Sequence, residues 1–175
     1  MLPALFGGNV RALLERLQIE TANPYSATNT LVIIRDSPGA PVVGAMVGSL
    51  VGTARRSNIH TAWLLARWYG PAVIARLPLL TRAGKAIEGM AGDDFYVSHI
   101  AVMPDSQRRG VGRELLLSGE NRARENGARR IVLDVEEHNE TARAFYARLG
   151  YRPLSPVRVD LGRIAFCFLR LFKGL

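Results

Sequence analysis

A chain of 175 residues, 48% of them apolar, is long enough to bury one sizeable core and too apolar to stay disordered. Its formal charge of +8 suits a polyanionic ligand, an acidic acceptor or RNA, and says nothing about fold. The lone cysteine, Cys167, excludes an intramolecular disulfide, and its place in the apolar run Ile164 to Phe168 reads as a buried, inert thiol.

The start Met1-Leu2-Pro3-Ala4-Leu5-Phe6 has neither the basic opening nor the cleavage pattern of a secretory signal. The most apolar stretch, 61–80, carries Arg67, Arg76, Pro71 and Pro78, which are costly inside a bilayer. A cytoplasmic protein with no membrane span is the expectation, organised as one domain over 1–175.

Val10, Leu13, Leu14 and Leu17 fall at helical spacing and predict a short amphipathic helix over 10–19, with Asn9 suited to cap it. The runs 30–35 and 41–50 read as a hairpin around the turn Asp36-Ser37-Pro38-Gly39. Gly44, Gly48 and Gly52 have the spacing of packed membrane helices, but the segment is too short to span and too rich in valine and glycine for a soluble helix. It is read as a strand. From Ser57 to Met90 the pattern turns helical, with Trp63, Leu64, Arg67 and Trp68 in the first piece and breaks at Gly70-Pro71 and near Pro78. Then follow a strand at 95–103, a helix at 110–126, a strand at 130–135, a helix at 139–148 and a last strand pair at 157–160 and 163–171. The fold class is α/β: a mixed sheet with helices on both faces. A right-handed crossover through the helix at 110–126 puts the loop before it at a carboxyl strand end, where ligands of open sheets bind.

That loop, Gln107-Arg108-Arg109-Gly110-Val111-Gly112, joins strand to helix and has the makings of a phosphate cradle. Its glycines let backbone approach an anion, and the N–H groups opening the helix point the same way, aided by the helix dipole. Arg108, Arg109 and Arg113 add positive charge. The loop lacks the Gly-Lys-Ser/Thr ending of a nucleotide triphosphatase loop, and Leu115 stands where a dinucleotide fingerprint has its third glycine. Arginines 108, 109, 113, 122, 124, 129 and 130 lie in or beside it without the interleaved aromatics of a nucleic-acid stacking surface. Nucleic acid is therefore not the expected partner.

Gln/Arg-x-x-Gly-x-Gly after a strand resembles the signature by which the GNAT superfamily of N-acetyltransferases holds the pyrophosphate of coenzyme A. A second segment, Asn139-Glu140-Thr141-Ala142-Arg143-Ala144-Phe145-Tyr146-Ala147-Arg148-Leu149-Gly150-Tyr151, is similar to the Asn-x-x-Ala-x-x-Phe/Leu-Tyr-x-x-x-Gly-Phe/Tyr pattern that closes the cofactor site in the same superfamily. The matched block runs from Phe95 to Pro153. The resemblance implies a mostly antiparallel central sheet with one parallel, splayed strand pair, and acetyl transfer from acetyl-coenzyme A to a primary amine by direct attack. The alternatives are a catalytically silent coenzyme A-binding module and an RNA- or ribosome-associated basic protein.

By the same resemblance, Gln107, Arg108, Arg109, Gly110, Val111, Gly112 and Arg113 hold the pyrophosphate. Backbone groups of Ile100, Ala101 and Val102 hold the pantetheine and the thioester oxygen, Asn139 contacts the pantetheine while capping its helix, and Tyr146 is the acid for the departing thiolate. Asp134 is the first candidate for the base, since some members that acetylate protein amino termini carry a glutamate there. Glu136 projects to the same face, and His99 has a suitable intrinsic pKa. A water relayed by backbone groups remains an alternative. His60, His99 and His138 have no metal-ligand spacing with Cys167, and no Gly-x-Ser-x-Gly elbow is present, so no metal and no covalent intermediate are expected.

Two departures from the family stand out. The first strand and helix expected of the family have no clear counterpart before Asn9, which reads as a shortened amino terminus. Where most members turn briefly from third to fourth strand, this chain inserts about thirty residues at 57–90, far longer than an ordinary connection. The insertion reads equally as a hydrophobic flap, packed on the sheet or on the second subunit of a homodimer, and as a lid over the acceptor pocket.

Overall fold

The computed structural model of the chain describes residues 10–21, 23–35, 40–70, 87–160 and 165–175. Helix α1 spans Val10–Ile19 as its spacing predicts, burying Leu13 and Leu17. Its expected cap, Asn9, and the amino-terminal segment before it lie outside the described residues. The hairpin is present: β1 (Thr30–Ile34) pairs antiparallel with β2 (Val42–Leu50), while its turn at 36–39 lies outside them.

Helix α2 begins directly after β2 and runs Val51–Tyr69, earlier than the expected start at Ser57. The reason is local pinning. The Gly52 N–H donates to the Gly92 carbonyl at 2.9 Å and the Arg55 guanidinium to the Met90 carbonyl at 3.0 Å, so the first turn is tied to the chain that returns to the sheet. A Cβ on Gly52 would lie 3.0 Å from that Gly92 oxygen, so of the three spaced glycines only Gly44 and Gly48 belong to the strand. The helix ends at Gly70 with φ +57, the break expected at Gly70-Pro71. Residues 71–86, with the expected break near Pro78, lie outside the described residues.

After β3 (Asp94–Val102) come α3 (Val111–Glu125), β4 (Arg130–Glu136), α4 (Glu140–Arg148), β5 (Arg152–Asp160) and β6 (Ala165–Gly174). The six strands form one sheet in the order β1-β2-β3-β4-β6-β5, antiparallel throughout except for β3 beside β4. Strand β5 starts at Arg152, well before the expected 157. Pro153 and Pro156 discourage a strand assignment, but β5 is an edge strand, where a missing N–H need cost no ladder bond.

The two faces of the sheet are covered differently. Val111, Leu115, Leu116 and Ala123 of α3 pack with Met46, Phe95, Val97, Ile131, Leu133 and Val135 on one face. This contact is close: a Cβ on Gly44 would sit 2.8 Å from Val111 Cγ1, so helix and strand approach to a distance that only glycine permits. On the other face Val51 and Met90, at the two ends of the insertion, pack with Val132, Tyr96 and Phe172. The expected burial of Cys167 is corrected. It is exposed on β6 opposite Arg158 of the edge strand, because the apolar run alternates across a strand with one open face. No helix among the described residues is long and apolar enough to cross a membrane.

Candidate active site

Strands β3 and β4 pair in parallel only from Asp94↔Arg130 to Val97↔Leu133. Beyond that point β3 runs on to Val102 and β4 to Glu136 with no pairing between them, so the strands split. Strand β3 also changes register there. Val47 of β2 faces His99 and Gly48 faces Val97, which leaves Ser98 as the extra residue of a β-bulge.

On its other edge β3 stays paired with β2, and the Met103 N–H donates to the Val43 carbonyl at 2.9 Å. Backbone groups alternate direction along a strand, so Ala101 also faces β2, while Ile100 and Val102 turn theirs toward the split. Of the residues expected to offer backbone groups to a ligand, these two present them. The Val102 carbonyl accepts a hydrogen bond from Gln107 Nε2 at 3.3 Å, which ties the cradle to the strand end.

In the cradle, Arg108 has φ +58 and Gly110 φ +86. Gly110 caps α3 with no side-chain hydrogen bond, and the first intrahelical bond runs from the Glu114 N–H to the Gly110 carbonyl. The N–H groups of Val111, Gly112 and Arg113 therefore open the helix ahead of its first internal bond, at the positive end of its dipole. Arg108, Arg109 and Arg113 are all exposed around it. An anion fits these donors and charges.

Asn139 caps α4, its Oδ1 accepting from the Ala142 N–H at 3.0 Å, which leaves its Nδ2 to donate elsewhere. The far end of α4 closes by a Schellman motif. Gly150, at φ +88, donates to the Ala147 carbonyl at 3.0 Å, and the Tyr151 N–H donates to the Tyr146 carbonyl at 3.1 Å. This geometry folds the Tyr151 ring back edge-on to Tyr146, with centroids 5.8 Å apart. The spacing Tyr-x-x-x-Gly-Tyr is thus a helix-ending device that fixes Tyr146, which is 7% exposed. Burial raises the Tyr146 pKa, so the phenol keeps its proton at neutral pH.

The candidate bases are placed differently from one another. Asp134 is held by Arg170, whose Nε and Nη2 donate to its two oxygens at 2.8 and 2.9 Å, while the Tyr96 hydroxyl donates to Oδ2 at 3.2 Å. The Arg170 Nη1 reaches the Glu88 carbonyl at 2.8 Å, so the end of the insertion is fastened to the same group. Burial, and then the Asp134 charge, push the Tyr96 pKa far up. Glu136 is exposed at the end of β4.

His99 follows the bulge and stands against Tyr25, ring centroids 5.8 Å apart. The Ser98 hydroxyl stands 3.3 Å from the Val47 carbonyl and 3.2 Å from His99 Nδ1. In the tautomer that lets this hydroxyl donate to the carbonyl, Nδ1 carries the proton and Nε2 the free lone pair. His99 keeps an exposed edge, and partial desolvation by the protein packed around it lowers its pKa from the ordinary 6.5, so at neutral pH the imidazole is neutral and able to accept a proton. The loop bearing Tyr25 is fixed by buried Asn23, which donates to the Leu17 and Glu20 carbonyls and accepts from the Tyr25 N–H.

Residues 10–151 match the family model described as Acetyltransferase (GNAT) family. The chain belongs to that family. Its relatives include the uncharacterized N-acetyltransferase YhfO of Bacillus subtilis, 30% identical over 42% of this chain and 45% of that protein. The matched stretch thus takes in less than half of YhfO. The glucosamine 6-phosphate N-acetyltransferase of Trypanosoma brucei brucei is 25% identical over 85% of this chain and 96% of that one. An N-acetyltransferase from Staphylococcus aureus Mu50 shares the fold, with a TM-score of 0.68 over 98% of this chain and 88% of its own at 16% identity.

Sequence reasoning missed Tyr25, Tyr96, Ser98 and Arg170. Arg170 left a trace, since a cation inside the apolar run of β6 demands a buried partner. Tyr25 and Ser98 left none, because a loop fold and a bulge brought them to His99. Among the described residues, no group of three or more His, Cys, Asp or Glu side chains is placed to hold a metal ion.

Proposed function

We propose that this protein transfers the acetyl group of acetyl-coenzyme A to a primary amine, on a small molecule or a protein, by direct attack. The observation that carries the reading is the passage of β3 from a strand split with spare backbone groups, through one short loop, to a helix start without a side-chain cap and ringed by exposed arginines. A thioester lies in the split while its pyrophosphate sits on the N–H groups of Val111, Gly112 and Arg113, with Arg108 and Arg109 beside it. Backbone groups of Ile100 and Val102 serve the pantetheine and the thioester oxygen, and Asn139 Nδ2 donates to the same arm.

The reaction joins nitrogen to the acetyl carbon and breaks the carbon–sulfur bond. Starting from an ammonium, it yields an amide, a thiol and one released proton. His99 Nε2 takes the proton that frees the amine lone pair, and N–H groups in the split stabilise the oxyanion. Tyr146 attends the sulfur. A phenol with a raised pKa is a weaker acid than a thiol of about 8.5, so complete proton transfer to the thiolate is uphill. Its contribution is a hydrogen bond that strengthens as charge reaches sulfur, with the final proton drawn from the amine. Asp134, engaged by Arg170, orients Tyr96 rather than serving as the base. Val51 and Met90 pack on the face that bears Tyr96 and Asp134, which supports the insertion as a wall of the acceptor pocket. The exposed Cys167 thiol suits a reducing cytoplasm.

The test is thiol release from acetyl-coenzyme A across a panel of aminoglycosides, polyamines, amino sugars and peptides with free amino termini. The expected result is amine-dependent release with equimolar amide. Release that no amine accelerates would leave only a coenzyme A-binding module.

A further inference from the structure

Buried in the core beneath the site is a carboxylate that the proposed chemistry does not use. Glu120 lies on the inner face of α3 and is 3% exposed. Both its oxygens accept from Lys173 Nζ at 2.8 Å, and Oε1 accepts from the Tyr151 hydroxyl at 3.3 Å. Lys173 Nζ also stands 5.8 Å from the centre of the Tyr151 ring. A buried carboxylate in the middle of an otherwise apolar helix face is expensive, and a packed apolar residue would serve stability as well or better. Arg124 adds a longer ion pair at 4.0 Å, while the two closer partners hold one ring, and that ring lies edge-on to Tyr146.

A second line of contact runs from the same helix to the same tyrosine. A Cβ on Gly112, within the cradle, would stand 3.4 Å from Phe145 Cζ, and the Phe145 ring lies 5.3 Å from that of Tyr146. Helix α3 therefore reaches both flanks of Tyr146 through intervening rings. Its first turn does so through Phe145, and Glu120, farther along, does so through Tyr151. The start of that helix is also where the pyrophosphate is proposed to bind.

We propose that Glu120 is a positioning residue: through the Tyr151 hydroxyl, with Lys173 neutralising its charge, it fixes the Tyr146 ring relative to the phosphate-binding end of α3. The inference rests on Tyr146 attending the sulfur. A ring held from both sides by one helix keeps a constant offset from whatever the start of that helix binds. The lost hydroxyl bond in Tyr151→Phe frees the ring edge without removing the ring, and Lys173 still neutralises Glu120, so the variant is expected to fold.

The experiment is a double-mutant cycle on thiol release from acetyl-coenzyme A, with an acceptor from the amine panel or, lacking one, with water. Tyr151→Phe is expected to lower kcat about fivefold, the worth of about one hydrogen bond, with an unchanged Kd for acetyl-coenzyme A by calorimetry. In the Tyr146→Phe background the same change is expected to do nothing further. An unaltered kcat in Tyr151→Phe, or the same fivefold loss in both backgrounds, overturns the proposal while leaving Tyr146 in its role. A Tyr146→Phe variant with full kcat removes both.

Discussion

At the phosphate end of the proposed donor side, the working parts are backbone N–H groups, glycines and exposed arginines from one short run, Gln107 to Arg113. On the acceptor side they are side chains from distant parts of the chain: Tyr25, Tyr96, His99, Asp134 and Arg170, with Arg170 and Asp134 only 4% and 8% exposed. The first surface is open and held by the shape of a loop. The second is held by a buried ion pair whose removal would be felt by the fold. With the proposed site, binding and stability fall to different residues, and substitutions on the two sides should fail in different ways.

The largest effect expected is on stability. Arg170→Ala leaves Asp134 buried without its cation and should cost about 3–5 kcal/mol in chemical denaturation, whereas Arg113→Ala in the exposed cradle should cost less than about 0.5. Equal losses would erase the distinction between the two sides. Next comes Gly110→Asp, which places a side chain at φ +86 and a negative charge against the anion. A weakening of acetyl-coenzyme A binding by about 100-fold, near 2.7 kcal/mol, is expected in titration calorimetry, and unchanged binding would refute the cradle.

Tyr146→Phe sharpens the comparison from within the donor side, since it should spare binding and slow transfer by about 100-fold, read as kcat under saturating acetyl-coenzyme A. A rate near that of the parent would take Tyr146 out of the mechanism. His99→Gln is expected to have a smaller effect, about tenfold at neutral pH, with a characteristic sign. The folded His99 pKa is lowered, so the parent keeps its base at neutral pH and loses it as pH falls through that lowered value. The extra acid-side fall in kcat/KM should vanish in the glutamine variant. Its persistence would point to another base.

The same contrast explains what could be read from the residues alone. The cradle was legible because Gly110, Gly112 and the helix start are neighbours in sequence, and Asn139 with Gly150-Tyr151 marks the two ends of α4 by local capping chemistry. The hairpin followed from its turn residues and both crossover helices from periodicity, while the parallel pair came from the family resemblance alone. Asp134 and His99 were identified as types without their partners, because Arg170 and Tyr96 reach Asp134 across three strands and Ser98 reaches His99 only through a bulge. The early start of α2 escaped notice because Gly52 is held by a returning segment, through Gly92. Edge position, which no local pattern reveals, allowed β5 to run through two prolines.

Calorimetric titration of the unmodified protein with acetyl-coenzyme A, set against desulfo-coenzyme A and ATP, tests the donor site most directly. The account predicts micromolar binding of the coenzyme A compounds and none of comparable strength for ATP. Absence of binding, or ATP binding as tightly, would contradict it.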